Sequence, residues 1–358
     1  MITKTRKAVL SGLALAASVT LLAGCASDTG ASDSAKILPC MVSDSGGFND
    51  KSFNQLGYEG LMDAANGIGV TPITVESASE TDFAPNLQSL VDQGCDVIVS
   101  VGFLLSAPTV ESALANPDVN YILIDDAADN DFDGNIDAPN IQPLLFDTAQ
   151  AAFLAGYASA ATTQSGIVGT FGGMNIPTVS IFMDGFKQGV DNFNTTNGKS
   201  VKVLGWDGKD GSFTGGFEAN DTARQIAQSL IDQGADVILP VGGPIYQSAA
   251  AAIQSSGKEI ALLGVDADIT KTDPSVASIV LTSILKNIDV AVTEAVTAAA
   301  NGEFSSTPFI GTLANNGVGI APLTNFANWI PKDLQSQLDA LQKKIVAGDI
   351  VVTSYLAG

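Results

Sequence analysis

The residues best suited to chemistry form a short polar segment, residues 44–54, directly after an apolar run at residues 37–42. The apolar run predicts a β-strand, and the periodicity that begins after Phe53 predicts a helix. A glycine-rich turn that leads from a parallel strand into a helix N-terminus is a common ligand position in α/β sheets. We therefore predict that Asp44, Phe53 and Asn54 bind a ligand, with Phe53 stacking on a flat ring. An ordinary loop in which Phe53 is only a hydrophobic anchor is the alternative.

The other candidate residues share one property, because each follows an apolar run that is predicted to be a strand. They are Asp125, Asp126, Gly242, Gly243, Asp266 and Lys286. Glycine lets a ligand approach the backbone closely, and an aspartate accepts two hydrogen bonds from neighbouring hydroxyl groups. A loop at residues 211–217 adds Phe213, with Trp206 as its rival, as an aromatic that opposes Phe53. This set of groups suits a flat, uncharged ligand that is rich in hydroxyl groups.

An internal repeat indicates how these residues are brought together. Residues 90–99 recur as residues 230–239 with nearly the same sequence, and the same offset of 140 pairs Asp126 with Asp266. The repeat predicts two doubly wound α/β domains that face each other across a cleft. Continuous apolar runs predict parallel strands at 97–101, 121–124, 237–241 and 260–265, with further strands at 69–75, 167–171, 201–205 and 277–283.

The first 25 residues predict where the protein works. A basic start and an apolar stretch are followed by Leu22-Ala23-Gly24-Cys25, which resembles a bacterial lipoprotein signal. The apolar stretch is shorter than the roughly 20 residues that a membrane-spanning helix needs. We expect residues 1–24 to be removed, Cys25 to be lipidated, and residues 25–35 to form a flexible tether on the outer face of the cytoplasmic membrane.

Composition excludes several classes of function. The net charge is −22, so nucleic acid is a poor partner. The chain contains no histidine, which excludes a Ser-His-Asp triad and the usual zinc sites. Cys40 and Cys95 are expected to be two buried thiols, although an exported location permits a disulfide.

Several segments together resemble the basic membrane protein (BMP) family, which comprises PnrA-like substrate-binding lipoproteins of ABC importers with a type I periplasmic-binding-protein fold. The similar segments are residues 46–60, 230–243, 264–268 and 281–287, and the run Asp50-Lys51-Ser52-Phe53-Asn54 is the most specific. The resemblance implies a receptor for a nucleoside, with purine favoured, that has no enzymatic activity and no cofactor. Its partners would be an ABC permease and, through it, the ATP-binding subunits.

The resemblance also assigns roles. It implies that Asp44 and Phe53 contact the base, that Asp125 or its rival Asp126 supplies a further carboxylate, and that Asp266 and Lys286 bind the ribose. It implies a first lobe of residues 36–145 with about 278–305, and a second lobe of residues 146–277 with about 306–358, joined by a hinge. A receptor for a sugar or another small solute is the main alternative, and a lipid-anchored nucleoside hydrolase is a further one.

One loop has the spacing of a calcium site. Asp129, Asp131, Asp133 and Asn135 occupy alternate positions, with glycine at the sixth position, as in an EF-hand loop. The twelfth position is Asn140, where an EF-hand has a bidentate glutamate. A calcium site and an acidic surface loop are therefore both left open.

Overall fold

The computed structural model describes residues 37–357. The predicted signal segment, the lipidation site Cys25 and the tether to residue 35 lie outside the described residues. No helix within residues 37–357 combines the length and the apolar character that a membrane span requires.

The strands of residues 37–357 form two six-stranded sheets. Strands such as β1 and β8 are buried along their whole length, as expected where helices cover both faces of a sheet. In chain order the strands are β1 Pro39–Ser43, β2 Ile73–Val75, β3 Val97–Val101, β4 Asn120–Ile124, β5 Ile141–Phe146, β6 Ile167–Gly172, β7 Lys202–Leu204, β8 Val237–Val241, β9 Ala261–Asp266, β10 Val280–Lys286, β11 Phe309–Gly311 and β12 Val318–Ile320.

The two sheets have equivalent strand orders. The first is β11-β5-β4-β3-β1-β2 and the second is β12-β10-β9-β8-β6-β7. The paired strands are parallel except for β12, which runs antiparallel to β10 at the edge of the second sheet. β3 and β8 hold the same place in the two orders, as the sequence repeat predicts. The fold is thus the predicted pair of doubly wound α/β units.

Helices pack on both faces of each sheet. A hydrophobic cluster unites buried residues of β1, β3 and β4 with residues of helices from both halves of the chain. The helices are α1 Phe53–Ile68, α2 Phe83–Asp92, α3 Ser106–Ala115, α4 Thr148–Thr162, α5 Pro177–Asn197, α6 Asp221–Asp232, α7 Ile245–Ser256, α8 Ile269–Thr272, α9 Ile288–Ala300 and α10 Leu334–Ala347.

We call each sheet with its helices a lobe, and the sheets correct two of the expected lobe boundaries. β10 was expected in the first lobe but pairs with β9 in the second sheet. β11 was expected in the second lobe but pairs with β5 in the first sheet. The chain therefore enters the first lobe again only after Lys286, where α9 packs on α1. The apolar run of β10 does not reveal which sheet it joins, because the parallel strands of both sheets have the same continuous apolar pattern.

Cys40 and Cys95 form a disulfide bond, so the expectation of two free thiols is wrong. The residues are 55 positions apart in sequence, but β1 and β3 are neighbours, and Cys40 lies opposite Ile98. This pairing brings the two Cα atoms to 6.0 Å, within the range that a disulfide requires.

Candidate ligand-binding cleft

A cavity lies where the carboxyl ends of strands from both lobes meet, the position at which open α/β sheets bind ligands. Its walls include most of the residues that the sequence predicts for the site. Those that line it are Asp44, Phe53, Asn54, Asp125, Gly242, Gly243, Asp266 and Lys286. Asp126 and Phe213 do not line it.

Asp50 fixes the turn that carries Phe53 and Asn54 into the cavity. Its carboxylate accepts hydrogen bonds from the backbone N–H groups of Ser52, Asn54 and Gln55, at 2.9, 3.0 and 3.0 Å. Ser52 is the N-cap residue and Asn54 and Gln55 lie in the first turn of α1, where N–H groups have no partner within the helix. Burial raises the pKa of Asp50, and these N–H groups oppose the shift. Asp50 also lines the cavity, although it is not among the predicted site residues.

Asp44 and Asn54 form one polar wall. The Asn54 side-chain Nδ2 donates to Asp44 Oδ1 at 2.7 Å. Burial raises the pKa of Asp44 from 3.8 to about 6, against the effect of the hydrogen bond from Asn54. Asn54 Oδ1 is buried without a hydrogen-bond partner, and Asn54 itself lines the cavity. Gly102 makes this wall possible, since a Cβ there would lie 2.9 Å from Asp44 Oδ2.

The two aspartates after β4 are directed differently. Asp125 has a left-handed backbone with φ of 71°, and its side chain enters the cavity. Asp126 instead accepts hydrogen bonds from Ser106 Oγ at 2.5 Å and from the Ala128 N–H at 2.8 Å. Asp126 therefore supports the loop after β4, and Asp125 is the carboxylate that faces the cavity.

Lys286 is the buried cation of the cavity and forms an ion pair with Asp125. The ion pair joins the lobes, because Lys286 ends β10 of the second sheet. The Lys286 ammonium also lies 4.9 Å from the centroid of the Phe53 ring, 5.4 Å from that of Phe146 and 5.7 Å from that of Phe182. Burial raises the pKa of Asp125, and Lys286 partly offsets this effect.

Asp266 corresponds to Asp125 in the second lobe. It ends β9 with a left-handed φ of 64° and is 5% exposed. Burial raises its pKa to about 6, Lys286 lowers it and Asp125 raises it further. The Ser52 hydroxyl lies 3.1 Å from Asp266 Oδ2 and 3.0 Å from the Val265 carbonyl oxygen, so the first lobe also contacts this strand end.

The second-lobe aromatic differs from the expected one. Phe213 packs edge-on against Trp206, with ring centroids 6.1 Å apart, and lies outside the cavity wall. Trp206 is buried and donates to Asp184 at 2.8 Å, so neither rival faces a ligand. Phe217, four residues later, lines the cavity instead. A Cβ on Gly242, whose φ is 136°, would lie 2.7 Å from the Phe217 ring.

The cavity walls also include residues outside the predicted set, among them Phe103, Thr178, Phe182 and Phe217. Phe182 lies in α5, where helical periodicity indicates burial but not whether the buried face meets a core or a cavity. Phe103 follows β3 at the carboxyl edge, and the end of that predicted strand was the signal that could have identified it.

The calcium interpretation of the acidic loop stays a prediction. Carboxylate oxygens of Asp129, Asp131 and Asp137 lie within 4.8 Å of one another. Asp133 accepts instead from the backbone and side-chain amide of Asn135, at 2.8 and 3.0 Å. The grouped carboxylates thus include Asp137, which the predicted set lacks, and leave out Asp133.

A family model and two relatives match this chain over most of its length. A family model for PnrA-like ABC transporter substrate-binding proteins matches residues 37–355. An ABC transporter nucleoside-binding protein, BmpA, of Lactococcus lactis is 28% identical, over 98% of this chain and 99% of its own length. An uncharacterized lipoprotein of Pyrococcus abyssi is 30% identical, over 84% of this chain and 73% of its own.

A solved structure shares the fold. The solute-binding protein of an ABC transporter system from Aeropyrum pernix superposes with a TM-score of 0.77 at 24% identity. The match covers 89% of this chain and 94% of that protein. The two sheets described above are therefore those of the ABC solute-binding proteins with the type I periplasmic-binding-protein fold.

Proposed function

The chain belongs to the family of PnrA-like substrate-binding proteins of ABC transporters, and on that premise we propose that it binds a nucleoside, preferably a purine nucleoside, in the cleft between its lobes. The observation that carries the proposal is the set of groups in one cavity: the Phe53 ring, the Asp44 carboxylate with the free Asn54 oxygen, and Asp266 beside Lys286. The name of the Lactococcus lactis relative supports the same ligand class.

The base would lie against Phe53 and present its edge to Asp44 and Asn54. A flat ring gains stacking energy on an aromatic face. Ring N–H and amino groups of a base are donors, and Asp44 and Asn54 Oδ1 would be the acceptors in the same cavity. Phe182 and Phe217 of the second lobe add apolar surface to the cavity walls.

The ribose would lie between Asp266 and Lys286. A carboxylate accepts from hydroxyl groups and an ammonium donates to their oxygen atoms, so the pair matches a sugar edge. Asp125 holds the Lys286 ammonium in place through their ion pair. Four carboxylates with one cation also disfavour a phosphorylated ligand, because its charge would be repelled.

The protein would act outside the cytoplasmic membrane and deliver the nucleoside to an ABC permease, with Cys25 carrying the lipid anchor. The two lobes closing on the ligand would create the form that the permease recognises. Radiolabelled lipid incorporated into the protein in cells, and lost in a Cys25→Ser variant, would test the anchor separately from ligand binding.

A thermal-shift screen tests the ligand class. Nucleosides, free bases, sugars, inositols and amino acids are added to the purified protein, and hits are measured by isothermal titration. Adenosine, guanosine or inosine should raise the melting temperature, since a ligand bound only to the folded state stabilises it. A shift with sugars alone would establish the sugar receptor and overturn the nucleoside proposal. Incubation of a bound nucleoside for hours, followed by chromatography for free base, tests the hydrolase.

A further inference from the structure

The lobes touch at a second place, beside the cavity but outside its walls. Lys51 precedes α1 in the first lobe, and Thr272 and Asp273 follow β9 in the second. The Thr272 hydroxyl donates to the Lys51 carbonyl oxygen at 2.7 Å, and the Lys51 ammonium lies 3.8 Å from Asp273 Oδ1. We call these contacts the Lys51 latch. None of its three residues lines the cavity.

The second-lobe side of the latch is firmly held. Tyr246 donates to Asp273 Oδ2 at 3.0 Å, and Ser275 donates to Asp273 Oδ1 through its hydroxyl at 2.5 Å and its N–H at 3.2 Å. Burial favours a protonated Asp273, but these hydrogen bonds and Lys51 outweigh it and lower the pKa of Asp273. Asp273 is therefore ionised, and these hydrogen bonds hold its carboxylate in place beside the Lys51 ammonium.

The first-lobe side connects directly to the ligand-binding turn. Lys51 has a left-handed φ of 60° and lies between Asp50, which caps α1, and Ser52. Phe53 is two residues further on and lines the cavity. A contact that holds the Lys51 backbone thus holds the segment that carries Phe53, without touching anything in the cavity.

We propose that Lys51 and Thr272 are positioning residues that set the residence time of the ligand by latching the closed lobes. This proposal rests on the proposed function for its ligand. When the lobes separate, the Thr272 bond and the Lys51–Asp273 contact break together with the ligand contacts. The latch therefore stabilises the closed form alone, and closed protein releases its ligand only after opening.

Removal of the latch should act on release rather than on capture. A Thr272→Val variant keeps the shape of the side chain and loses the hydroxyl donor. We expect the rate of guanosine release to rise about 3- to 10-fold, the change that one neutral hydrogen bond supports. The association rate should stay within about twofold of wild type, since capture begins from open lobes in both proteins. Lys51→Met should change release in the same direction.

Two variants serve as controls. Thr272→Ser restores the hydroxyl and should return the release rate to that of the wild type. Lys271→Met removes the ammonium of the neighbouring residue. The Lys271 side chain is 79% exposed, and its ammonium pairs with Asp268 of its own lobe at 3.0 Å. This variant should leave release unchanged. Stopped-flow displacement of guanosine, with adenosine and uridine in parallel, gives both rates.

Small-angle X-ray scattering of the ligand-free proteins gives a readout that needs no ligand. The combined Lys51→Met and Thr272→Val protein should have a larger radius of gyration than the wild type, because its lobes separate more often. The latch proposal would be overturned if the combined variant had the radius of gyration and the release rate of the wild type. It would also be overturned if the variant bound more weakly only because its association rate was lower. Wild-type protein that binds no nucleoside would count against the proposed function, and the scattering comparison would still decide the latch.

Discussion

Lys286 and Asp125 form an ion pair between the two lobes, with 2% and 7% of their side chains exposed. Removal of one partner leaves the other charge buried and unpaired. We expect Lys286→Met to lower the free energy of unfolding by about 3–5 kcal/mol, the usual cost of breaking a buried pair from one side. Urea unfolding followed by circular dichroism measures the change.

The double variant Lys286→Met with Asp125→Asn is the matched control for that experiment. Because it removes both charges, it should recover a large part of the lost stability while nucleoside binding remains weak. A double variant as unstable as Lys286→Met alone would show that the packing of Lys286 against the Phe53 ring, rather than the ion pair, stabilises this region.

Phe53→Ala should weaken nucleoside binding roughly 5- to 150-fold, which corresponds to about 1–3 kcal/mol for one base stacked on an aromatic ring. Phe132→Ala is a suitable control, because Phe132 is 89% exposed and lies on the acidic loop away from the cavity. Isothermal titration gives both dissociation constants. Equal affinities would mean that Phe53 is only a hydrophobic anchor.

Phe217 and Phe213 should give opposite results. Phe217 lines the cavity, so Phe217→Ala should reduce affinity with little change in melting temperature. Phe213 packs on Trp206, so Phe213→Ala should lower the melting temperature more than it lowers affinity. The comparison needs only thermal unfolding and titration of the two variants. Reversed results would place Phe213 against the ligand, as the sequence predicts.

Ligand affinity should rise with pH between about 5 and 7. Burial raises the pKa of Asp44 and Asp266 to about 6, so both are largely protonated at pH 5. Each carboxylate must be ionised to accept freely from ligand donors, and a group with a pKa near 6 is about tenfold less ionised at pH 5 than at neutral pH. Titrations at both pH values should differ accordingly, and Asp44→Asn should flatten the dependence.

The contribution of these two carboxyl groups to the stability of the ligand-free protein should change with pH in the opposite direction. A carboxyl whose pKa is higher in the folded state than in the unfolded chain adds stability that is complete below the ordinary value of 3.8 and is lost as pH rises through about 6. Asp44→Asn should therefore gain unfolding free energy over wild type at pH 7.5 and not at pH 4. A gain that is equal at both pH values would contradict the raised pKa.

The Cys40–Cys95 disulfide should contribute about 2–5 kcal/mol to stability. It closes a loop between residues separated by 55 positions and restricts the unfolded chain. A variant with both Cys40→Ala and Cys95→Ala should show this loss in urea unfolding. Addition of a reductant should destabilise the wild type and leave the variant unchanged, which separates the bond from any packing effect.

The strands and the first-lobe half of the site could be predicted from the sequence because local patterns specify them. Residues 97–101 and 237–241 form β3 and β8 as predicted, since buried parallel strands need continuous apolar runs. Asp44 and Phe53 reach the cavity because a turn after a parallel strand always lies at the same edge of the sheet.

The remaining site residues depend on geometry that no local pattern encodes. Asp125 and Asp126 are adjacent aspartates after β4, and the sequence pattern does not specify the left-handed backbone of Asp125. Phe213 and Phe217 share one glycine-rich loop, where no periodicity distinguishes an inward ring from an outward one. The disulfide required knowledge that β1 and β3 are adjacent, and the place of β10 depended on which sheet accepted it.

β11 and β12, the edge strands of the two sheets, come late in the chain, and this order has a consequence for folding. The first sheet lacks its edge strand until Phe309–Gly311 has been synthesised, and α9, which packs on α1, is also made late. Contacts between residues so far apart in sequence slow folding. Neither lobe can be completed from a growing N-terminal fragment, so the nascent chain should remain sensitive to proteases until nearly its full length is available.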